Sequence, residues 1–77
     1  MATFTVRQGR RYRATIALGL VERLASNEMI ADKLREAGFA EVTVTGSGGV
    51  RQAEALWPGA DRTAEMPAQV ATVSEIA

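Results

Sequence analysis

The chain has 77 residues, of which 47% are hydrophobic and 23% are charged, and its nine basic and nine acidic residues give a net charge of zero. This length allows a single domain over residues 1–77 with a thin core, and the composition excludes a disordered chain, which needs low hydrophobicity with high net charge. Cysteine and histidine are both absent, so neither a disulfide nor the two commonest ligands of structural zinc can stabilise the fold. Packing, or a partner subunit, must do so.

No uncharged stretch approaches the roughly 20 residues of a membrane-spanning helix, because the longest apolar run, residues 14–21, ends at Glu22 and Arg23. Arg10 and Arg11 before this run superficially resemble a twin-arginine export signal. The run is short, however, and its removal would leave too little chain for a core. We therefore expect a mature strand here and a soluble cytoplasmic protein, or part of a particle assembled in the cytoplasm, without membrane contact.

Residues 3–18 alternate with a period of two, which predicts two strands joined as a β-hairpin. Gln8-Gly9-Arg10 has the length of a three-residue hairpin loop, and Gly9 can take the positive φ that such loops require. One parity of this segment is apolar and is expected to face the core. Its members are Phe4, Val6, Tyr12, Ala14, Ile16 and Leu18.

Apolar residues recur at helical spacing over residues 20–37, which predicts the main helix. Ser26-Asn27 interrupts the apolar stripe and offers good N-caps, so the alternative is a short first turn followed by a helix from Glu28. Gly38 ends the helix in either case, because glycine suits the left-handed C-terminal cap. Phe39 stands where the accompanying hydrophobic contact usually falls.

Residues 41–45 and 50–57 both alternate, and with the glycine-rich residues 46–49 between them they predict a second hairpin. Residues 60–66 are polar and turn-like. Residues 70–76 are rich in β-branched side chains and predict a closing strand, although the same residues would also line one face of a helix. The side chains expected to face inward are Val42, Val44, Ala53, Ala55 and Trp57.

These elements predict an α+β fold with an antiparallel or mixed sheet of four to five strands. The order is β-β-α-β-β with a closing β, and the one main helix packs on one face of the sheet. In architecture, the strand–helix–strand part over residues 12–45 resembles the split β-α-β unit of ferredoxin-like domains.

The residue types that most catalytic templates require are absent, since there is no thiol nucleophile and no imidazole for proton transfer near neutral pH. Acidic residues recur at every fourth position over residues 28–36, but Lys33 and Arg35 interleave with them, which is typical of a solvated helix face rather than a cation site. Gly46-Ser47-Gly48-Gly49 leads into a strand rather than a helix, which favours a turn over a phosphate loop. The sequence predicts no enzyme and no catalytic, cofactor or metal site.

The most specific functional feature is basic, because residues 1–18 contain four arginines and no acid. Arg7, Arg11 and Arg13 share the outer parity of the predicted hairpin, and Arg10 lies in its turn. Trp57 is expected in the core, and it becomes a candidate partner contact if it is exposed. The remaining arginines at positions 23, 35, 51 and 62 are scattered without a shared site. The candidate partner-contacting residues are Arg7, Arg10, Arg11, Arg13 and Trp57.

The sequence thus predicts a non-enzymatic interaction or assembly module, a small subunit or accessory component of a homo- or hetero-oligomeric complex such as a virion or a secretion machine. Its basic hairpin is expected to meet the acidic helix face of another copy in a head-to-tail contact. The alternative is a small nucleic-acid-binding regulator that uses the same arginines to bind phosphates. Two observations oppose it: Tyr12 points inward, so no stacking platform exists, and the net charge is zero.

Overall fold

The computed structural model describes residues 3–76 and shows a small α+β protein. Within these residues the chain forms six strands, one α-helix and one 3₁₀ turn. They are β1 (Thr3–Val6), β2 (Arg10–Ala17), the 3₁₀ turn (Glu22–Leu24), α1 (Asn27–Glu36), β3 (Ala40–Ser47), β4 (Val50–Trp57), β5 (Arg62–Glu65) and β6 (Val70–Ile76). The predicted closing strand over residues 70–76 is therefore confirmed.

A four-stranded antiparallel sheet in the order β3-β4-β2-β6 is the main layer of the molecule. Its central strands pair along their whole length, from Arg10 opposite Trp57 to Ala17 opposite Val50. The alternation of β2 and β4 buries one face of the sheet and leaves the other in solvent, as is common for antiparallel sheets. The buried members are Tyr12, Ile16, Arg51, Ala53, Ala55 and Trp57.

The chain runs from β2 through α1 to β3, and in the sheet β4 lies between β2 and β3. Because β2 and β3 both run antiparallel to β4, they run parallel to each other. This arrangement does not establish the ferredoxin-like topology as a whole, since residues 3–76 contain a single α-helix and β1 and β5 form a separate two-stranded sheet.

The predicted hairpin between the first two strands is wrong. β1 pairs antiparallel with β5, from Thr3 opposite Glu65 to Val6 opposite Arg62, while β4 and β6 occupy both edges of β2. The turn at Gly9 does form, with φ of +79°, but its N–H donates to the carbonyl of Trp57 at 2.8 Å. The chain therefore turns out of the main sheet, because β4 and β6 offer β2 longer partners than the four residues of β1.

The prediction of a turn-like segment over residues 60–66 is also wrong, because β5 lies within it. All four residues of β5 are exposed, so no apolar alternation marks this strand in the sequence. The backbone pairing with β1 carries it, together with a hydroxyl hydrogen bond of 2.7 Å between Thr5 and Thr63.

The helix follows the alternative with a short first turn. Ser26 is the N-cap of α1, and its hydroxyl accepts the Met29 N–H at 3.1 Å, which fixes the helix start because a side-chain acceptor satisfies a free N–H of the first turn. The predicted end at Gly38 is confirmed, with φ of +113°. The Phe39 ring lies 4.9 Å from the Trp57 ring.

The core lies between the buried face of the main sheet and a second layer made of α1 and the β1–β5 pair. Its centre is a cluster of Val6, Tyr12 and Trp57, against which Phe4, Phe39 and Val73 pack half-buried. No large side chain among the described residues is completely buried, in keeping with the thin core expected at this length. Within residues 3–76, no helix has the length and apolar character that crossing a bilayer requires.

Candidate interaction surface

Of the four N-terminal arginines, Arg11 and Arg13 lie on the solvent-facing side of the main sheet, Arg10 begins β2 at the parity of the buried Tyr12, and Arg7 lies outside that sheet. Three of the four pair with a carboxylate of another strand of the main sheet, at distances of 3.3 to 4.0 Å. The pairs are Arg10 with Glu75, Arg11 with Glu41, and Arg13 with Glu54. Arg7 is exposed just after β1 and has no ion-pair partner within residues 3–76. The predicted cationic face is thus mostly neutralised.

The acidic face of α1 is neutralised in the same way. The Arg35 guanidinium donates to Glu28 at 2.8 Å and to Asp32 at 2.7 Å, and these hydrogen bonds raise the pKa of Arg35. Lys33 pairs with Glu36 at 3.7 Å. Within the described chain no group of three potential metal ligands comes together. Neither surface of the expected head-to-tail contact therefore offers a large uncompensated charge.

Trp57 lies in the core and is only 6% exposed. Its indole N–H donates to the carbonyl of Ala60 at 2.8 Å, so the polar end of the ring is satisfied within the chain. Of the two interpretations of this tryptophan, the structure shows the one in which it anchors the domain.

The exposed large apolar side chains lie on chain segments that meet at the end of the molecule where β2 runs into α1. We call this the apolar end surface, and its members are Leu20, Val21, Leu24, Met29 and Val50. The first three are 81%, 81% and 86% exposed. A helix over residues 20–37 would place them on its apolar stripe, but the structure follows the alternative with a short first turn, and all three precede α1. Single exposed apolar residues are ordinary on protein surfaces, but three within five residues are not.

The guanidinium of Arg51 joins the three segments that make up this end. It donates to the side-chain oxygen of Asn27 at 2.8 Å, to the carbonyl of Arg23 at 3.1 Å and to that of Gly48 at 3.2 Å. Asn27 in turn donates to the carbonyl of Gly46 at 3.0 Å. The 3₁₀ turn, the start of α1 and the β3–β4 turn are therefore held around one buried side chain.

Glu22 links the 3₁₀ turn to the connection between β5 and β6. Its carboxylate accepts the Gly19 N–H at 2.8 Å and the Gln69 side-chain amide at 2.6 Å. These two hydrogen bonds, that of Gln69 first, lower the pKa of Glu22. The Leu18 N–H also donates to the carbonyl of Gly49 at 2.8 Å. The backbone that carries the exposed apolar side chains is thus fixed at several points.

Two arginines at this end, Arg23 and Arg51, have no acid of the described chain directly beside them. Arg51 is only 5% exposed, yet no carboxylate of residues 3–76 lies within 4.0 Å of it, and the same holds for Arg23. The Arg23 guanidinium lies on the backbone of Gly49, where an added Cβ would approach its Nε to 2.9 Å. Buried arginines are rarely left without an acid because desolvating the charge is costly.

The sequence did not predict that Arg23 and Arg51 lie together; both were interpreted as scattered arginines. A signal was present, since Arg51 has the same parity in β4 as the inward-facing Ala53, Ala55 and Trp57. A charged residue at a core-facing position marks either a bound counter-ion or a structural hydrogen-bond centre. The association of Arg23 with that centre depends on the 3₁₀ turn and had no comparable signal.

An apolar cleft of about 350 Å³ opens between α1 and the main sheet. Ala14, Ala53 and Ala55 line its floor, and Leu34 and Val73 line its sides. No buried side-chain nitrogen or oxygen among the described residues lacks a hydrogen-bond partner, and the charged residues that line the cleft, Glu36, Arg62 and Glu65, are exposed. The cleft belongs to the core, where small side chains leave space.

Comparison with known proteins adds no relative: no family model, no curated protein and no solved structure matches this chain.

Proposed function

We propose that this protein is a non-enzymatic interaction or assembly module, a small subunit or accessory component of a complex, and that a partner protein binds its apolar end surface. One observation carries the proposal. Leu20, Val21 and Leu24 are more than four-fifths exposed, and they stand on a backbone that Arg51 and Glu22 hold in place.

Burial of these side chains by a partner would remove apolar surface from water, which is the main favourable term in protein association. The fixed backbone lowers the conformational entropy lost on binding. A segment that merely failed to reach the core would not need hydrogen bonds to the β3–β4 turn and to the β5–β6 connection.

Binding through charge alone has less support. Three of the four N-terminal arginines are within 4.0 Å of acids of the same chain, so a nucleic acid would have to compete with those acids. This weakens the alternative of a nucleic-acid-binding regulator, and equally the head-to-tail contact between basic and acidic faces.

A different protein suits the surface better than a second copy in a symmetric dimer. Arg23 stands between Leu20 and Leu24 in the sequence and is exposed. A twofold contact of this surface with itself would bring two Arg23 side chains together, and like charges in an interface are unfavourable.

Site-specific photo-crosslinking in the native host tests the proposal. A photoreactive phenylalanine analogue at position 24 should give a discrete crosslinked product, because Leu24 is the most exposed member of the surface. The same analogue at position 32, on the exposed outer side of α1, is the matched control and should give none. Leu20→Asp in the position-24 protein should abolish the product, since a carboxylate at Leu20 opposes apolar burial.

Equal products at positions 24 and 32, or no product at 24, would overturn the proposal. So would a product that survives Leu20→Asp. The mass of the product identifies its components, and an adduct of two 8.2 kDa chains would place the surface between copies of this protein.

A further inference from the structure

We infer that the partner presents a carboxylate side chain flanked by apolar side chains, and that this carboxylate binds Arg23 beside the buried charge of Arg51. The inference deepens the proposed function and rests on it, because it specifies the chemistry of the protein that covers the apolar end surface.

The charge balance at this end carries the first step. Of the basic residues in the described chain, five have an acid within 4.0 Å. Two of those that do not, Arg23 and Arg51, lie together, since Arg51 donates to the carbonyl of Arg23. Of the nearest acids in the sequence, Glu28 pairs with Arg35. Glu22 has no cationic partner within 4.0 Å among residues 3–76, and it is directed to Gly19 and Gln69 rather than to Arg23.

The hydrogen-bonding capacity of Arg51 carries the second step. A guanidinium has five N–H donors, and the described acceptors are all uncharged: two carbonyls and one amide oxygen. They satisfy the geometry of the buried group but do not cancel its charge. An anion at the adjoining surface would be attracted by Arg51 as well as by Arg23, because screening is weak close to a buried charge.

The neighbouring side chains decide the source of the anion. Arg23 has Leu20, Val21 and Leu24 around it in the sequence, each more than four-fifths exposed. A free phosphate would leave these side chains in water, whereas a protein segment with an acid between apolar residues would bury them and neutralise Arg23 together. The two arginines have separate parts: Arg23 contacts the partner, and Arg51 positions the Arg23 segment.

Selection from a displayed library of short random peptides on the immobilised full chain tests the inference. We expect enrichment of peptides with Asp or Glu next to Leu, Ile or Phe. In a synthetic copy of an enriched peptide, Glu→Gln should raise the Kd about tenfold. Arg23→Gln in the protein should cause a similar loss, and the two changes together should cost little more than either alone.

Arg13→Gln is the control. Arg13 is exposed, as Arg23 is, but it lies on the outer face of the sheet and already pairs with Glu54. This substitution should leave the Kd unchanged. Leu24→Asp should abolish binding of every enriched peptide, because it removes the apolar contact on which the proposed function depends.

The outcomes separate the two proposals. Enriched peptides that lack an acid, or an unchanged Kd in Arg23→Gln, overturn the inference while the apolar surface stands. Binding that survives Leu24→Asp overturns the proposed function itself. Inorganic phosphate alone serves as a third arm: if it binds in an Arg23-dependent way and enriched peptides do not compete with it, the site takes a free anion and the inference fails.

Discussion

Glu41 is the only non-glycine residue among residues 3–76 with a positive φ, which is +50°. It stands at the irregularity of the β3–β4 pairing between Ala40 and Thr43, and its side chain reaches Arg11 at 3.3 Å. The left-handed conformation costs an ordinary residue about 1–2 kcal/mol, whereas an exposed ion pair contributes at most about 1 kcal/mol. The backbone, rather than the ion pair, therefore dominates the energetics of this position.

Replacement of Glu41 separates the two terms. Both Glu41→Ala and Glu41→Gly remove the ion pair, but only glycine relieves the backbone, so we expect Glu41→Gly to be the more stable by about 1 kcal/mol. The free energy of unfolding from urea titration measures the difference. At the exposed helical Lys33 the order should reverse, with alanine the more stable by about 1 kcal/mol. The same order at both positions would contradict the strain at Glu41.

Parity in a strand was the most reliable guide at the scale of single residues. It placed Tyr12, Ile16, Ala53, Ala55 and Trp57 on the buried face. It failed for the arginines, because parity says which face a side chain occupies and not which acid lies beside it. The pairs of Arg10, Arg11 and Arg13 depend on acids of other strands that are distant in the sequence.

Glycines with positive φ mark the ends of elements, and two of them have very different surroundings. An added Cβ at Gly38 would come within 3.0 Å of the Trp57 ring, whereas one at Gly48 would meet nothing within 4 Å. Both positions have a strained φ for alanine, at +113° and +70°. Gly38 therefore ends α1 and also makes room for the core, while Gly48 only shapes a turn.

Alanine substitution at these two glycines should have unequal effects. Gly48→Ala should lower the free energy of unfolding by about 1 kcal/mol through backbone strain. Gly38→Ala should cost about 1–3 kcal/mol more, because the ring of Trp57 must also move. Thermal or urea unfolding measures both. Equal losses would mean that the approach of Trp57 to Gly38 carries no energetic weight.

The tie between the 3₁₀ turn and the β5–β6 connection predicts a pH dependence. Hydrogen bonds from Gln69 and Gly19 lower the pKa of Glu22 below its ordinary 4.5. A carboxyl whose pKa is lower in the folded state stabilises that state above its unfolded pKa, and the contribution is lost as the pH falls through the folded pKa. The stabilisation from these hydrogen bonds is thus fully present above pH 4.5 and decreases below it.

Glu22→Gln tests this dependence. The difference in free energy of unfolding between the wild type and Glu22→Gln should be constant above pH 4.5 and should shrink as the pH falls further. Glu36→Gln is the control, since that acid lies in the exposed Lys33 pair of α1. A difference for Glu22 that grows on acidification would contradict the assigned hydrogen bonds.

Elements with strong local patterns were predictable, and those fixed by distant partners were not. The end of α1 at Gly38 and the strands over residues 40–57 and 70–76 follow from caps and alternation. β5 has no buried side chain, so only its pairing with β1 identifies it. The segment over residues 20–24 matches a helical stripe in the sequence, but α1 starts only after the N-cap at Ser26, so this segment lies outside the helix.

At the scale of the whole molecule, the apolar cleft between α1 and the main sheet is a region of loose packing. Its floor of alanines leaves about 350 Å³ open, and Ala14 is one of them; in the sheet, Ala14 is opposite Ala53 on one side and Val73 on the other. Larger side chains here would gain contacts that the present core lacks.

Filling this cleft should stabilise the protein. We expect Ala14→Val to raise the free energy of unfolding by about 0.5–1.5 kcal/mol, since valine also suits a central strand. Ala17→Val, at the exposed end of the same strand, should change it by less than about 0.5 kcal/mol. Calorimetry or urea unfolding compares the two. A destabilised Ala14→Val protein would show that the cleft is already filled by its neighbours.

The pairing of β1 with β5 sets an order on how the chain acquires its structure. Thr3 and Glu65 are neighbours in the sheet but lie at opposite ends of the sequence, and closing so long a loop is entropically unfavourable and slow. During synthesis the N-terminal segment must wait for residues 62–65 to leave the ribosome before it can pair. Pulsed hydrogen exchange during refolding should therefore show that the Phe4 and Val6 amides become protected later than those of Tyr12 and Ala14. The residues that are synthesised first would then be the last to take their folded structure.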